Sequence, residues 1–158
     1  MVVARCGSFV SGMYDFVIYT DGGYSMCRDI GAFAYVILQG DEIIKKGAHR
    51  IEHETNNRAE LKAILAGCYN VPEGSSVLVR SDSQYALYTL SGKWSQRKNT
   101  DIFECWDKKV RPRLRNVEFE WVRGHSGNEW NELCDALCNE VAGCDLNDKR
   151  EWIRKKQK

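Results

Sequence analysis

The 158-residue chain lacks the features that mark several large classes of protein. No apolar run approaches the roughly 20 residues that a membrane-spanning helix needs. Residues 1–13 carry one Arg but no sustained apolar stretch, so they make a poor signal peptide. The formal net charge is only +1, so any affinity for nucleic acid must come from a local patch. We therefore expect a protein without a membrane segment.

Cysteine is present, but not in a pattern that points to disulfides or metal. The seven cysteines are an odd number and include no Cys-x-x-Cys pair. Cys134 and Cys138 are spaced by one helical turn, which favours small core residues in a reducing cytoplasm. A zinc site is the weaker alternative, because no His stands at ligand spacing. The prediction is a cytoplasmic protein with free thiols.

The composition is that of one folded domain with irregular ends. Hydrophobic residues make up 43% of the chain and charged residues 28%, which is ordinary for a globular protein. The pattern predicts a disordered leader at 1–13. Residues 145–158 form a basic tail, for which we expect either a solvated, frayed segment or a contact with a partner or nucleic acid. No repeat or low-complexity linker divides the chain.

Periodicity predicts a mixed α/β order. Three strand-like segments come first and suggest an antiparallel meander; helical and strand-like segments then alternate. Thr55 is a good N-cap for the first helix, and Ser126 and Glu129 have capping-box spacing before the last. The predicted strands are 15–21, 32–38, 43–51, 77–79 and an edge strand from Val117 to Val122; residues 22–31 are a turn; the helices begin after Thr55, span 84–91 and 100–114, and follow Glu129.

Four separated acids stand where an acid is unusual. Asp21 closes an apolar strand, Glu60 flanks a helical apolar stripe, Asp82 follows a buried strand, and Asp135 borders a helical apolar face. Three of them have an ordinary alternative: a strand end for Asp21, an exposed helical position for Glu60, and an N-cap for Asp82. Together they suggest a site for hard divalent cations, which prefer oxygen ligands.

Four segments that contain these acids resemble the signature segments of type 1 ribonuclease H. They occur in the order and at the approximate spacing of that family, over residues 14–143. The resemblance implies a ribonuclease H domain at 14–144 with a five-stranded mixed sheet in strand order 3-2-1-4-5 and helices on both faces. The segments are Thr20-Asp21-Gly22, Thr55-Asn56-Asn57-Arg58-Ala59-Glu60-Leu61, Ser81-Asp82-Ser83-Gln84-Tyr85 and Gly124-His125-Ser126-Gly127 with Asn131 and Asp135.

The resemblance also implies an activity. The expected enzyme is an endonuclease that hydrolyses the RNA strand of an RNA–DNA hybrid and leaves 5′-phosphate and 3′-hydroxyl ends. It implies two Mg²⁺ ions, with Mn²⁺ as a substitute: Asp21 bridges both, Glu60 and Asp82 join it on the ion near the leaving group, and Asp135 joins it on the ion that activates water. His125 looks like the histidine that assists proton transfer or product release. We expect a monomer that contacts a replication protein through its tail.

The substrate contacts implied by the resemblance surround the acids. Thr55 and Asn99 match positions that bind a phosphate of the DNA strand, and Asn56, Asn57 and Gln84 match contacts to the minor groove and ribose. Trp94 is left open between a stacking residue and a loop anchor. The full expected set is Gly22, Gly23, Thr55, Asn56, Asn57, Gln84, Lys93, Trp94 and Asn99.

Three departures from the family pattern qualify these expectations. The loop after Asp21 lacks the usual Asn-Pro-Gly-Pro-Gly-Gly type of sequence, and His53 stands where an Arg often assists phosphate binding. The segment 86–99 is too short for the extra helix and basic protrusion of many members, so Lys93, Arg97 and Lys98 look like a reduced substitute. We expect weaker substrate affinity and a steep salt dependence if these residues touch phosphate.

Two other hypotheses come from different classes. One is a non-catalytic module that binds hybrid or duplex RNA; the complete set of acids with His125 argues against it. The other is an exonuclease, resolvase or integrase on the same scaffold. Those proteins lack the Asn-Asn-Arg-Ala-Glu and Gly-His-Ser-Gly segments in this arrangement.

Overall fold

The computed structural model describes residues 13–124 and 126–147, which form one sheet with helices on both faces. Within these ranges no helix has the length and apolar character needed to cross a membrane. The elements in chain order are β1 (Phe16–Ser25), β2 (Ile30–Gln39), β3 (Glu42–Ile51), α1 (Asn56–Tyr69), β4 (Ser76–Ser81), α2 (Gln84–Leu90), α3 (Thr100–Cys105), β5 (Asn116–Trp121) and α4 (Glu129–Ala142).

The sheet has five strands in the order β3-β2-β1-β4-β5, so the predicted strand order is confirmed. β1, β2 and β3 form the expected antiparallel meander. β4 pairs in parallel with β1, and β5 pairs in parallel with β4 as the expected edge strand. Parallel pairing requires crossover connections, and α1 supplies the one between the meander and β4. The central strand is therefore β1, which carries Asp21.

Each face of the sheet has its own apolar core. The larger one lies under α1, α2 and α3 and includes Ile18, Ile64 and Trp106, each at most 3% exposed. The smaller one lies under α4 and includes Val36 and Cys134. The side chains of β1 alternate between the two faces, as a pleated strand requires. Consequently β1 is buried on both sides, and its position is fixed by packing from α1 and from α4.

The turn predicted at 22–31 is much shorter than expected. β1 continues to Ser25 and β2 begins at Ile30, because Gly22 to Ser25 pair with Phe33 back to Ile30. Tyr24 is 7% exposed, and its hydroxyl donates to Asp29. The prediction gave too much weight to Gly as a strand breaker. At Gly22 the backbone of Ala59 and Glu60 comes too close for a Cβ, whereas Gly23 faces the side chain of Leu146.

Two helix predictions also need correction. The helix expected over 100–114 is α-helical only to Cys105; a π-helical turn (Trp106–Val110) and a 3₁₀ turn (Arg111–Arg113) follow, where Pro112 cannot donate an N–H. The capping box from Ser126 is wrong as well. Asn128 caps α4 by accepting from the N–H groups of Trp130 and Asn131, while the Ser126 hydroxyl donates to the Arg123 carbonyl.

The predicted ends of the chain fall mostly outside the described residues. Of the leader assigned to 1–13, only the exposed Met13 is described. Of the tail assigned to 145–158, only residues 145–147 are described. Among these, Leu146 packs against the smaller core and its N–H donates to the Asn139 side chain at 2.9 Å, so the solvated segment predicted here does not begin at 145.

Candidate active site

Strand register brings Asp21 and Asp82 together. The parallel pairing of β1 with β4 ends at Thr20 opposite Ser81, which is the last residue of β4. The next residue on each strand is therefore an acid, and the two carboxylates leave the sheet at the same level. Asp82 is not the N-cap that its position also suggested, because the Ser83 hydroxyl accepts the Ala86 N–H at 3.1 Å and caps α2.

Glu60 reaches Asp21 because α1 lies directly against β1 at Gly22. A Cβ on Gly22 would stand 2.5 Å from the Ala59 carbonyl carbon and 2.6 Å from the Glu60 nitrogen, so only glycine permits this approach. Thr55 begins α1 as predicted, with its Oγ1 accepting the Arg58 N–H at 3.2 Å. Glu60 is then 9% exposed, which contradicts the reading of an exposed helical Glu.

Asp135 enters the site from the opposite face of the sheet. α4 is held on β1 by two thiols that donate to backbone carbonyls: Cys134 to Tyr19 at 3.4 Å, and Cys138 to Asp21 at 3.6 Å. Both thiols are buried, which agrees with the prediction of core cysteines. This seating turns Asp135, the residue after Cys134, toward Asp21 at the rim.

The four acids meet in one cleft of about 540 Å³ at this edge of the sheet. Carboxylate oxygens of Asp21, Glu60 and Asp82 lie within 4.8 Å of one another. Asp135 lies close enough to Asp21, and Asp82 close enough to Glu60, for its charge to raise the pKa of that neighbour. The expected convergence of the quartet is therefore present. The cleft is lined by Asp21, Gly22, Gly23, Tyr24, Ser25, Met26, Cys27, Asn56, Glu60, Asp82, Asp135, Cys138, Leu146 and Asn147.

The electrostatics of the cleft disfavour carboxylate ionisation. Burial, followed by repulsion from Asp82 and Asp135, raises the pKa of Asp21 from 3.8 to about 8. Burial and the charges of Asp21 and Asp82 raise the pKa of Glu60 well above its usual range. In the described part of the chain, no Lys or Arg forms an ion pair with Asp21 or Glu60, and the buried Oε1 of Glu60 has no hydrogen-bond partner. Such a group of oxygens fits a divalent cation.

Residues beyond the acids also support Asp82. The indole N–H of Trp121, the last residue of β5, donates to the Asp82 carbonyl at 3.1 Å. Gly124 lies against the carboxylate itself, since a Cβ there would be 2.7 Å from Asp82 Oδ2. The edge strand and the start of the following loop therefore define the position of Asp82.

The predicted phosphate contacts Thr55 and Asn99 are both hydrogen-bonded to Arg58. Besides its N–H bond to Thr55, Arg58 donates to Asn99 Oδ1 at 3.3 Å and forms two bonds with the Asp101 carboxylate, at 2.9 and 2.8 Å. The Asn99 amide also donates to the Tyr85 hydroxyl at 2.9 Å. Two segments far apart in sequence are thus joined in one polar cluster beside the N-terminus of α1.

The other predicted substrate residues are distributed around the cleft. Asn56 lines it, and its Oδ1 accepts the Tyr24 N–H at 2.7 Å. Gly22 and Gly23 also line it, whereas Asn57 and Gln84 do not line it and are exposed on the first turns of α1 and α2.

The segment 91–99 is a loop without a helix, as its shortness predicted. Lys93 and Trp94 both contact Tyr88 of α2: the Lys93 ammonium lies 5.2 Å from the ring centroid, and the Trp94 ring meets it edge-on at 5.1 Å. Trp94 remains 46% exposed. The structure therefore gives Trp94 an anchoring contact and also leaves ring surface for stacking.

Of the two histidines that the sequence analysis singled out, the structure describes only His53. His125 lies outside the described residues. His53 has a positive φ of 55°, and its backbone N–H donates to Asp29 Oδ1 at 3.1 Å; Asp29 also accepts the Tyr24 hydroxyl proton. The segment before α1 is thereby tied to the β1–β2 turn.

Sequence reasoning missed three neighbours of the acids: Trp121, Cys138 as a lining residue, and Asn147. Trp121 was assigned only to an alternating strand pattern, and Cys138 only to a helical stripe. Asn147 stood inside a segment taken for a solvated tail. The apolar Leu146 three residues past Gly143, a glycine that ends α4 at φ 74°, was the available signal that the chain turns back.

The sequence of the chain is similar to that of known ribonucleases H. The profile of the RNase H family matches residues 13–143. Ribonuclease H of Syntrophus aciditrophicus is 33% identical over 140 residues, 80% of each chain. That of Caldicellulosiruptor saccharolyticus is 33% identical over 142 residues, which cover 82% of this chain and 97% of the relative.

Ribonuclease HI of Synechocystis is 30% identical over 135 residues, which cover 76% of this chain and 82% of the relative. One solved structure, the N-terminal RNase H domain of a Mycobacterium tuberculosis protein fused to maltose binding protein, has a TM-score of 0.70. It shares 20% identity and covers 81% of this chain and 93% of its own, which supports the fold alone.

Strand order 3-2-1-4-5, helices on both faces and acids gathered at the central strand define a nuclease with the ribonuclease H-like fold. The sequence matches then identify the family, since both a family profile and several relatives cover most of the chain. The chain belongs to the ribonuclease H family and is a ribonuclease H, an enzyme that cleaves the RNA strand of RNA–DNA hybrids. This result favours the first of the three hypotheses.

Proposed function

We propose that this ribonuclease H hydrolyses the RNA strand endonucleolytically with two divalent ions in the acidic cleft and leaves 5′-phosphate and 3′-hydroxyl ends. The observation that carries the proposal is the convergence of Asp21, Glu60, Asp82 and Asp135 around one cleft without a basic partner for Asp21 or Glu60 among the described residues. Four crowded carboxylates repel one another, and bound cations remove that repulsion.

The chemistry of the donors supports Mg²⁺, with Mn²⁺ as a substitute. The acids supply hard oxygen donors, which suit these ions. The Cys138 thiol also lines the cleft, but burial raises its pKa, so it stays protonated and is a poor ligand. Asp21 would serve both ions, Glu60 and Asp82 one of them, and Asp135 the other. Bound there, the ions would supply an activated water and stabilise the departing oxygen.

The protein's own groups hold the hybrid beside the acids. The side-chain oxygen Oδ1 of Asn56 accepts the Tyr24 N–H. The side-chain NH₂ group of Asn56 is therefore oriented to donate to other acceptors. Acceptors of this kind are ribose oxygens and the minor-groove edges of bases, which distinguish a hybrid by shape more than by sequence. We assign Gly22 and Gly23 to the same surface because they line the cleft, and Asn57 and Gln84 because each is exposed within two residues of a lining residue, Asn56 or Asp82.

Thr55 and Asn99 are proposed to bind a phosphate of the DNA strand. Arg58 fixes both residues by hydrogen bonds, while the Thr55 hydroxyl proton and the second Asn99 N–H are donors suited to a phosphate oxygen. Thr55 is also the first residue before α1, where the helix dipole favours an anion. Thr55 would then both cap the helix and bind substrate.

The basic loop is proposed to give the salt-dependent part of binding. Lys93, Arg97 and Lys98 are exposed in the described loop. Replacing all three with Ala should make the fall of log affinity with log salt less steep, by up to about 2.7 in slope. The control is Lys45→Ala, an exposed lysine at the far side of the sheet. An unchanged slope in the triple variant would identify the loop as a solvated surface.

The remaining roles rest on the family resemblance. His125 is proposed to assist proton transfer or release of the cleaved phosphate; His125→Ala should slow turnover while Mg²⁺ binding stays unchanged. We further propose a monomer in the cytoplasm, with a replication protein as a partner of the basic tail. Sedimentation at several protein concentrations tests the monomer.

One assay tests the cleavage proposal. End-labelled RNA–DNA hybrid, single-stranded RNA, duplex RNA and duplex DNA are each incubated with Mg²⁺, Mn²⁺ or a chelator, and the product ends are determined with a phosphatase and a ligase. We expect cleavage of the hybrid alone, and only with metal. Asp135→Asn should lose roughly 10³-fold in rate, equivalent to about 4 kcal/mol.

Glu132→Gln is the matched control, because Glu132 is an exposed acid on the same helix as Asp135. It should cleave at the wild-type rate. Cleavage in chelator, or a 3′-phosphate on the product, would refute the two-ion mechanism without touching the family assignment.

A further inference from the structure

The chain turns back over the acidic cleft directly after α4. Gly143 ends the helix, and the Leu146 N–H then donates to Asn139 Oδ1 at 2.9 Å, while the Asn147 N–H donates to Asp145 Oδ1 at 2.9 Å. Leu146 and Asn147 both line the cleft. The direction of the chain after α4 is therefore set by two side-chain-to-backbone hydrogen bonds.

Apolar packing holds the same segment in place. Leu146 is partly buried against the smaller core and lies over Gly23, where a Cβ would be 3.3 Å from Leu146 Cδ1. Gly23 follows Asp21 by two residues in β1. The segment is thus seated on the strand that carries the central acid of the site.

Asn147 contacts an acid of the site directly: its Nδ2 donates to Asp135 Oδ1 at 3.0 Å. We propose that Asn147 is a positioning residue that orients the Asp135 carboxylate for metal binding. This inference rests on the proposed function, in which Asp135 is a metal ligand. A carboxylate with one oxygen held by a donor has fewer orientations to lose when its other oxygen binds a cation.

The chemistry of an amide suits this position. Asn147 donates a charge-assisted hydrogen bond to Asp135, but it adds no charge to the cleft. A lysine in its place would compete with the cation for the same carboxylate, and an acid would increase the repulsion. Hydrogen-bond partners of metal ligands commonly affect metal affinity without touching the metal.

The contact between Asn147 and Asp135 also bears on where the catalytic domain ends. The family profile ends at residue 143, and the sequence predicted a domain that ends at 144. If Asn147 orients Asp135, the functional unit includes at least residues 145–147. These residues are then part of the site and not the beginning of the tail.

Asn147→Ala tests the proposal in the full chain. We expect Mg²⁺ binding, measured by calorimetry without substrate, to weaken about tenfold, at the lower end of the range for such partners because Asn147 is exposed. The Mg²⁺ concentration for half-maximal cleavage should rise by the same factor, while the rate at saturating Mg²⁺ stays within about twofold. The melting temperature in chelator should not change.

Two further variants complete the experiment. Asn139→Ala removes the acceptor that holds Leu146 and should weaken Mg²⁺ binding in the same direction, by less. Gln39→Ala removes an exposed amide at the end of β2, far from the cleft, and should leave Mg²⁺ binding unchanged. A purely structural role of Asn147 would instead lower the melting temperature and leave the metal affinity alone.

The outcomes separate this inference from the proposed function. If Asp135→Asn weakens Mg²⁺ binding but Asn147→Ala does not, the positioning role is wrong and the metal site stands. If Asn147→Ala increases the rate at every Mg²⁺ concentration, the contact blocks the site, which also overturns the proposal. If Asp135→Asn leaves Mg²⁺ binding unchanged, the proposed metal role of Asp135 fails first.

Discussion

Two groups of acids lie near the N-terminal end of α1 and show opposite electrostatics. One is the acidic cleft. The other, which we call the Arg58 cluster, consists of Arg58, Glu54, Asp101 and Lys62, joined by hydrogen-bonded ion pairs. Hydrogen bonds from Arg58 lower the pKa of Asp101 to about 2, whereas burial and like charges raise that of Asp21 to about 8.

The difference shows what each group does for the protein. In the Arg58 cluster every acid meets a cation, so ionisation favours the folded state and ties residues 54–62 to residue 101. In the cleft, ionisation of Asp21 and Glu60 opposes folding until a cation arrives. The fold therefore stabilises the arrangement of the cleft acids, and the cleft acids do not stabilise the fold.

The largest effect should come from breaking the Arg58 cluster. Arg58→Met removes the cation from Asp101 and one of the two cations from Glu54, whose side chain is 13% exposed and still pairs with Lys62. We expect a loss of about 2–3 kcal/mol in the free energy of unfolding, below the 3–5 kcal/mol for a fully buried pair because Asp101 is exposed. Urea denaturation measures it.

Lys108→Met is the control, since Lys108 and Glu104 form an exposed pair one turn apart on a helix. Its loss should be under about 0.5 kcal/mol. Equal losses for the two variants would show that the Arg58 cluster is no stronger than a surface pair.

Removing a charge from the cleft should have the opposite effect on stability: it should increase the free energy of unfolding. Asp21 has a raised pKa in the folded state, so its stability contribution is complete below the unfolded pKa near 4 and is lost as the pH rises to about 8. Asp21→Asn should therefore stabilise the metal-free protein at pH 9, where the wild-type carboxylate is ionised. The gain should vanish near pH 4. Thermal unfolding in chelator across this pH range measures it; a gain that is the same at every pH would contradict the raised pKa.

Magnesium should distinguish the two groups again. At ten times its dissociation constant, Mg²⁺ should add about 1.4 kcal/mol to the stability of the wild type. The same Mg²⁺ concentration should stabilise Arg58→Met equally, because the Arg58 cluster lies outside the cleft. It should add almost nothing to Asp21→Asn. A gain in Asp21→Asn equal to the wild-type gain would place the stabilising ion elsewhere.

The smallest effect is expected from Trp121, which holds the cleft by a neutral contact. Trp121→Phe removes the indole N–H that donates to the Asp82 carbonyl and should cost about 0.5 kcal/mol, since the residue is 43% exposed. Mg²⁺ affinity should fall several-fold. Trp94→Phe, an exposed indole on the loop, is the control and should leave Mg²⁺ affinity unchanged.

The sequence predicts the strands and the acids well, because both leave local signals. Alternation and β-branched residues mark β1 to β5, and an acid after an apolar run marks Asp21 and Asp82. Glu60 and Asp135 became site candidates only as members of the set of four acids, since the position of each on its helix does not show that the four meet. Their burial depends on how α1 and α4 pack on β1, and this packing is not local.

The failures have physical causes of the same kind. Gly22 and Gly23 were read as a turn because glycine disfavours strands, yet their missing side chains make room for α1 and for Leu146. Ser126 and Glu129 have the spacing of a capping box, but the helix begins one residue after Asn128, so Asn128 is the residue that caps it. Asn147 gave no signal because its contact with Asp135 requires the chain to reverse after Gly143. Contacts across the cleft are set by tertiary structure and not by sequence neighbours.

The alignment of Thr20 with Ser81 has a consequence for how this enzyme can change. Asp21 and Asp82 lie side by side only because β1 and β4 pair in this register. A shift of either strand by one residue would turn its side chains to the opposite face of the sheet. The loop 91–99 sets no such alignment. Lengthening that loop would therefore change only the proposed contact with nucleic acid, whereas one residue added within β4 would separate Asp82 from Asp21.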